Sequence, residues 1–176
     1  MIIGPDFVFL HVPRCAGTLM QRVYLPLFGG VYHEPFHGRE VPAEHAHKFT
    51  FAIVRNPYQR MMSIWAHWKE TNFQNLPFLR DGDSADCAEQ FPFVAAQHSQ
   101  AEFLSAARLD AVLHYETLAA EVLGLPFNTD QIPLPTEKVN RSTVGWEPMA
   151  PRFIAAVNAH SRLDFQQFGY AMRDAA

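Results

Sequence analysis

Three short apolar runs, each leading through a turn into a helical pattern, restrict this chain to one broad architecture. Residues 7–11 read Phe-Val-Phe-Leu-His, residues 49–54 Phe-Thr-Phe-Ala-Ile-Val, and residues 111–115 Ala-Val-Leu-His-Tyr. None alternates polar with apolar, which fits strands buried on both faces. Residues 31–33 add a shorter candidate. After the first run, Val12 to Thr18 form a turn with Pro13 and Gly17. Thr18 is placed to N-cap a helix through Leu19, Met20, Val23 and Leu27, which Gly29 and Gly30 end. After the second run, Arg55-Asn56-Pro57 turn into a helix. Pro57 suits its first turn, and Met61, Met62, Ile64, Trp65 and Trp68 form its apolar, core-packing face. Further along, 71–90 read as an irregular loop, 92–106 as a helix, and 116–123 as a helix stopped by Gly124. Residues 125–150 read as a long proline-rich loop and 151–168 as a helix. Strands alternating with helices imply an α/β domain around a mostly parallel sheet. Ligands of such sheets meet the carboxyl ends of the strands, which singles out 12–18, 33–37, 55–63 and the residues from 116.

A chain of 176 residues holds one such domain with a sizeable core, so residues 1–176 are read as a single domain. No apolar run approaches the ~18 residues of a membrane span, and the start carries no signal pattern. The two cysteines, Cys15 and Cys87, make neither a disulfide framework nor a CxxC pair. A net charge of −4 argues against general binding to nucleic acid or to an anionic membrane. The basic residues are nonetheless lopsided: eleven are Arg and three are Lys (Lys48, Lys69, Lys138). Arginine grips phosphate and sulfate through a planar, bidentate fork. An anion site here is therefore local, built from a few arginines against an acidic background.

Two turns have that chemistry. In Pro13-Arg14-Cys15-Ala16-Gly17-Thr18, a small-residue turn enters a helix, where free backbone N–H groups and the helix dipole favour an anion. Arg14 adds charge and Thr18 a hydroxyl. The turn is not the G-x-x-x-x-G-K-[ST] phosphate loop, because it is shorter and has no lysine. No acidic residue directly follows the later strand to hold Mg²⁺ either. In the second turn, Arg55 stands at a strand end, and Ser63 lies eight residues on, two helical turns away. A phosphate near the sheet top could meet both. By itself, each turn also fits an ordinary strand–helix connection.

Together the two segments carry a resemblance. FVFLHVPRCAGT, followed some forty residues later by FTFAIVRNPYQRMMS, resembles the sulfotransferases, and their carbohydrate-type branch most closely. That family's 5′-phosphosulfate loop reads H-x-P-K-x-A/G-G-T/S, and its 3′-phosphate segment F-x-x-V-R-N/D-P-x-x-R-x-x-S. VLHYETL (112–118), KVNRST (138–143) and LDFQQFGY (163–170) are similar to further family stretches, so the resemblance runs from residue 7 to residue 170. It implies a three-layer α/β/α fold with a mostly parallel central sheet, like that of the P-loop nucleotide kinases. The implied reaction is in-line sulfuryl transfer from 3′-phosphoadenosine 5′-phosphosulfate (PAPS) to a carbohydrate or small-molecule acceptor, releasing PAP, with no metal.

Residue by residue, the resemblance assigns Arg14, Ala16, Gly17 and Thr18 to the 5′-phosphosulfate, with backbone N–H groups of Cys15 and Leu19 beside them. It assigns Arg55 and Ser63 to the 3′-phosphate, and Asn140, Arg141 and Ser142 to closure over the nucleotide. Positioning and charge stabilisation carry such a transfer, so a cation is needed beside the leaving oxygen. The family has Lys where this chain has Arg14. Arginine supplies charge but does not give up its proton, so it cannot act as a general acid.

An acceptor hydroxyl loses a proton as it attacks, and histidine is poised to take it near neutral pH. Relatives often carry a histidine about twenty residues before the 3′-phosphate arginine. His33 lies 22 before Arg55 and His37 lies 18 before, so His33 is favoured, then His37, with Glu34 third. His11 is read as structural, close to the phosphosulfate. His33-x₃-His37 and His45-x-His47 have ligand-like separations but no framework of known metal spacing, so no metal is assigned. Trp146 could line an acceptor cleft. Glu116 reads as a helix N-terminal acid, or as an orienting group for a basic residue.

Two other readings stay open: a catalytically silent PAP- or PAPS-binding domain, motivated by Arg14, and a P-loop protein that handles ATP. The chain is short for the family. The acceptor side is then open, completed by a homodimer partner, or specialised for a small molecule. With no membrane anchor in view, a bacterial cytoplasmic enzyme is expected.

Overall fold

The computed structural model describes residues 1–35, 37–94, 98–135 and 148–175. The chain divides into two compact units: Met1–Arg55 with Phe103–Asn140, and Asn56–Glu102 with Arg141–Ala176.

The first unit carries a five-stranded mixed sheet of order β3-β1-β2-β4-β5: β1 (Ile2–Ile3), β2 (Phe7–Leu10), β3 (Val31–Tyr32), β4 (Phe49–Val54) and β5 (Ala111–His114). The centre is parallel, β2 with β4 and β4 with β5, while β1 runs antiparallel to both β2 and β3. All four residues of β2 are buried, as a run without polar alternation requires. Phe7 pairs with Phe49 and Leu10 with Ala52; Phe51 pairs with Ala111 and Val54 with His114. Where β5 enters the ladder, Thr50 N donates to Asp110 Oδ2 at 2.8 Å and Asp110 N donates to Thr50 O at 2.7 Å.

Period-two alternation sends Phe7, Phe9 and Phe51 to one face. There Phe127 stacks on Phe7 at 4.2 Å between ring centroids, and Phe28 meets Phe127 edge-on at 5.3 Å. Each such pair adds roughly 0.5–1.5 kcal/mol beyond its buried area. The start of the proline-rich loop is ordered by buried Asn128, whose Nδ2 donates to Val122 O, Ile132 O and Tyr24 Oη, and whose Oδ1 accepts from Ile132 N.

The second unit is built on α2 (Pro57–Thr71). Asn56 Oδ1 caps it, accepting from Tyr58 N at 3.1 Å and Gln59 N at 3.4 Å. Met61, Met62, Trp65 and Trp68 are buried, and the same core takes in Phe91, Phe153, Val157 and Phe165. Buried Asp164 accepts from Gln100 N, Gln100 Nε2 and Ala101 N, and so caps a helix 64 residues earlier in the chain.

Several elements differ from expectation. The segment after Gly17 is not one regular helix capped by Thr18. It is a short turn, α1 (Gly17–Leu19), with Ala16 at the cap position, then a wide π-type turn over Met20–Tyr24 and a 3-10 turn over Leu25–Phe28. Pro26 explains this, since it lacks an N–H and its ring crowds the carbonyl four residues back. Residues 71–90 are not an irregular loop: they hold α3 (Pro77–Asp81) and α4 (Ser84–Gln90), the latter closed by a reciprocal Asp83–Asp86 capping box. Of the helix expected over 92–106, Gln100–Leu104 is helical (α5), Phe91–Phe93 is a 3-10 turn, and 95–97 lie outside the described residues; the helix expected from Glu116 starts later, as α6 (Leu118–Glu121). The C-terminal helix is two, α7 (Pro151–His160) and α8 (Arg162–Phe168), parted at Ser161. Among the described residues, no helix is long and apolar enough to cross a membrane.

Candidate anion site at the carboxyl ends of the central strands

Two turns leave β2 and β4 at the same end of the sheet, because those strands are parallel and adjacent. In the first, Arg14 (φ 67°) and Ala16 (φ 60°) both adopt the left-handed conformation that side chains disfavour. Each costs on the order of 1–2 kcal/mol, which the surrounding structure must offset. Turns of this kind aim backbone N–H groups at a common point and make anion-binding concavities. Met20 N returns to Ala16 O at 3.1 Å, and no side chain caps the turn at Ala16. The first N–H groups of a helical segment lie beyond the reach of its own carbonyls. Gly17, Thr18 and Leu19 make up that first turn here.

Gly17 is packed against His11 so closely that a Cβ at position 17 would overlap the imidazole. His11 is buried, and its pKa is pushed down to about 3, chiefly by that burial and next by the charge of His37, so the ring is neutral at ordinary pH. His37 lies against it, with ring centroids 4.6 Å apart and His37 Nδ1 3.0 Å from the His11 carbonyl oxygen. Cys15 is buried, its Sγ 3.7 Å from Pro13 O.

In the second turn, Arg55 follows β4 and is 9% exposed. Its Nη1 donates to Arg14 O at 3.4 Å, and its guanidinium carbon lies 4.3 Å from the centroid of the Tyr115 ring. Tyr115 follows β5, its N donating to Val54 O at 2.8 Å.

The structure thus brings together Arg14, Cys15, Ala16, Gly17, Thr18, Leu19, Arg55, His11 and His37. It places His33 differently: His33 N continues the β3–β1 ladder by donating to Met1 O at 3.1 Å, and its ring faces His45 at 6.2 Å. Glu34 accepts from the Tyr32 hydroxyl at 2.6 Å. Ser63 is buried on α2, within the second unit. Asn140, Arg141, Ser142 and Trp146 lie outside the described residues. Among the described residues, no three His, Cys, Asp or Glu side chains gather as a metal site would require.

Two residues escaped the sequence. Glu121 is an acid tied to the end of β5: it accepts from His114 N at 2.8 Å and from the Thr117 hydroxyl. Tyr115 was readable as a strand end, but its place under Arg55 follows from the β4–β5 register. Comparison with protein-family models, with curated proteins and with solved structures returns no match.

Proposed function

We propose that this chain is a PAPS-dependent sulfotransferase of the carbohydrate type, with a three-layer α/β/α, nucleotide-kinase-like arrangement. The observation that carries the reading is the meeting of Arg55 with the Arg14 turn at the carboxyl ends of two adjacent parallel strands. A donor bearing a 5′-phosphosulfate and a 3′-phosphate presents two anions, and two arginine-bearing turns that touch one another suit both.

On this reading the left-handed turn at Arg14 and Ala16, with Gly17, Thr18 and Leu19, holds the 5′ end. Gly17 carries no side chain, which lets the buried His11 ring pack directly behind the turn. Arg55 holds the 3′-phosphate. The acceptor is a hydroxyl of a carbohydrate or small molecule. Its oxygen forms the new bond to sulfur as the bond from sulfur to the phosphate oxygen breaks. The electron pair stays on the phosphate, beside Arg14, and the acceptor proton passes to a histidine.

His37 is better suited to that proton than His33. A neutral imidazole whose Nδ1–H donates to a carbonyl has its basic lone pair on Nε2, and the His37–His11 contact sets up that tautomer within the cluster. The transition state is stabilised by fixed charge and N–H dipoles rather than by metal, as the loop and Arg14 supply.

A second reading, a chain that binds PAP without transferring sulfuryl groups, is favoured by Arg14 standing where the family has lysine. One set of measurements separates them. Thermal shift with PAP and with ATP, alongside labelled PAPS and a panel of hydroxyl acceptors, is expected to give a PAP shift and labelled product. A PAP shift without product selects the second reading; no PAP shift discards both. Arg55→Ala should weaken PAP more than adenosine 5′-phosphosulfate, which lacks the 3′-phosphate.

A further inference from the structure

The parallel register pairs Val54 with His114, so the next residues, Arg55 and Tyr115, leave the sheet side by side. The bond from Tyr115 N to Val54 O anchors the base of the tyrosine to the residue just before Arg55. Above that anchor the ring face lies under the guanidinium at 4.3 Å, while the Arg14 carbonyl meets Nη1 at 3.4 Å. The two contacts come from different strand ends and fix the guanidinium in plane and in rotation. Arg55 is 9% exposed and Tyr115 39%, so the ring acts as a cover with its own outer side in solvent. An arginine reaching freely for an anion loses rotamer freedom on binding, and one held beforehand does not.

Resting on the reading above, we infer that Tyr115 is the positioning residue for Arg55 and, through it, sets the preference for adenylates phosphorylated at the 3′ position. A residue that acts only through Arg55 affects ligands that carry the 3′-phosphate and spares those that do not. A residue that touches the nucleobase affects both alike. PAP and AMP differ by that one phosphate, so together they distinguish the two roles.

The experiment measures PAP and AMP affinities by calorimetry for the wild-type chain, Tyr115→Phe and Tyr115→Leu. Loss of the ring face should weaken PAP about 2- to 30-fold in Tyr115→Leu, the range of a cation–π contact, with AMP unchanged. Tyr115→Phe keeps the ring face and should keep the PAP affinity. Should Tyr115→Leu fail to fold, Tyr115→Met, unbranched and without a ring, is read in the same way. Equal weakening of PAP and AMP, or PAP affinity unchanged in the ringless variants, overturns the inference while the proposed function stands. A wild-type chain with no preference for PAP over AMP overturns both.

Discussion

His37 Nδ1 lies 3.0 Å from the backbone oxygen of His11, and the two rings approach to 4.6 Å. The contact ties an exposed histidine to a buried one that itself packs beneath Gly17. On the proposed function, the acid–base role falls to His37. His37→Ala should lower kcat for sulfuryl transfer by about 100-fold or more, the low end of general-base effects, and leave PAP affinity unchanged. His33→Ala, at a ring that faces His45 instead, should leave kcat close to wild type. Steady-state kinetics on both variants with one acceptor decides it, and the opposite pattern returns the role to His33.

Gly17 and His11 compete for the same space. Gly17→Ala should destabilise the chain by roughly 1–3 kcal/mol, the usual cost of overpacking. For a chain of this size each kcal/mol lowers Tm by about 2–4 °C, so thermal denaturation reads it directly. Combining Gly17→Ala with His11→Ala should recover much of that loss, because the ring the new methyl strikes is gone. Additive losses in the double variant would mean that the clash is relieved elsewhere.

Burial of His11 makes stability sensitive to acid. Its folded pKa is about 3, against an ordinary value near 6.5. Between those values the unfolded chain takes up a proton that the folded chain refuses. The contribution is therefore fully present above about pH 6.5 and is lost as pH falls toward 3. The slope reaches up to about 1.4 kcal/mol per pH unit for one such proton. Urea denaturation from pH 7 to pH 5 should show a shallower decline for His11→Gln than for the wild type. His160 is also pushed down, first by burial and then by Arg60, and contributes with the same sign in both chains. Parallel declines would remove His11 from the account.

Arg14→Lys tests the charge beside the leaving oxygen. The main-chain carbonyl that Arg55 uses is unaffected, so PAP binding should persist. A lysine can also pass a proton to the leaving oxygen, and turnover should rise by up to about tenfold. A fall in turnover would show that the planar fork itself is needed. Transfer that first appears with the lysine would mark the natural chain as the silent binder.

The long strands were legible because β2 and β4 are apolar runs flanked by turns. β1 was not, since two residues carry no periodicity and only pairing with β2 and β3 defines it. The helical turns around Pro26 depend on a missing N–H, which the apolar stripe at Leu19, Val23 and Leu27 conceals. The capping box of α4 was present as Asp83 and Asp86 but was masked by the breakers Pro77 and Gly82 around it. Within the site, the sequence placed the Arg14 and Arg55 turns at carboxyl ends of strands, and the β2–β4 pairing makes them neighbours. The contacts of His37 with His11 and of Tyr115 with Arg55 did not, because each joins segments whose distance in sequence says nothing of their distance in space.

The Thr50–Asp110 clamp stands at the opposite end of β5 from Tyr115, five residues earlier in the chain. Side chains alternate along a strand, so a slip of one residue would carry the tyrosine ring to the other face of the sheet. On the proposed function, nucleotide preference would then be hostage to a carboxylate at the far end of the strand. Drift at position 110 would rewrite what the protein selects while every residue that grips the ligand stayed the same.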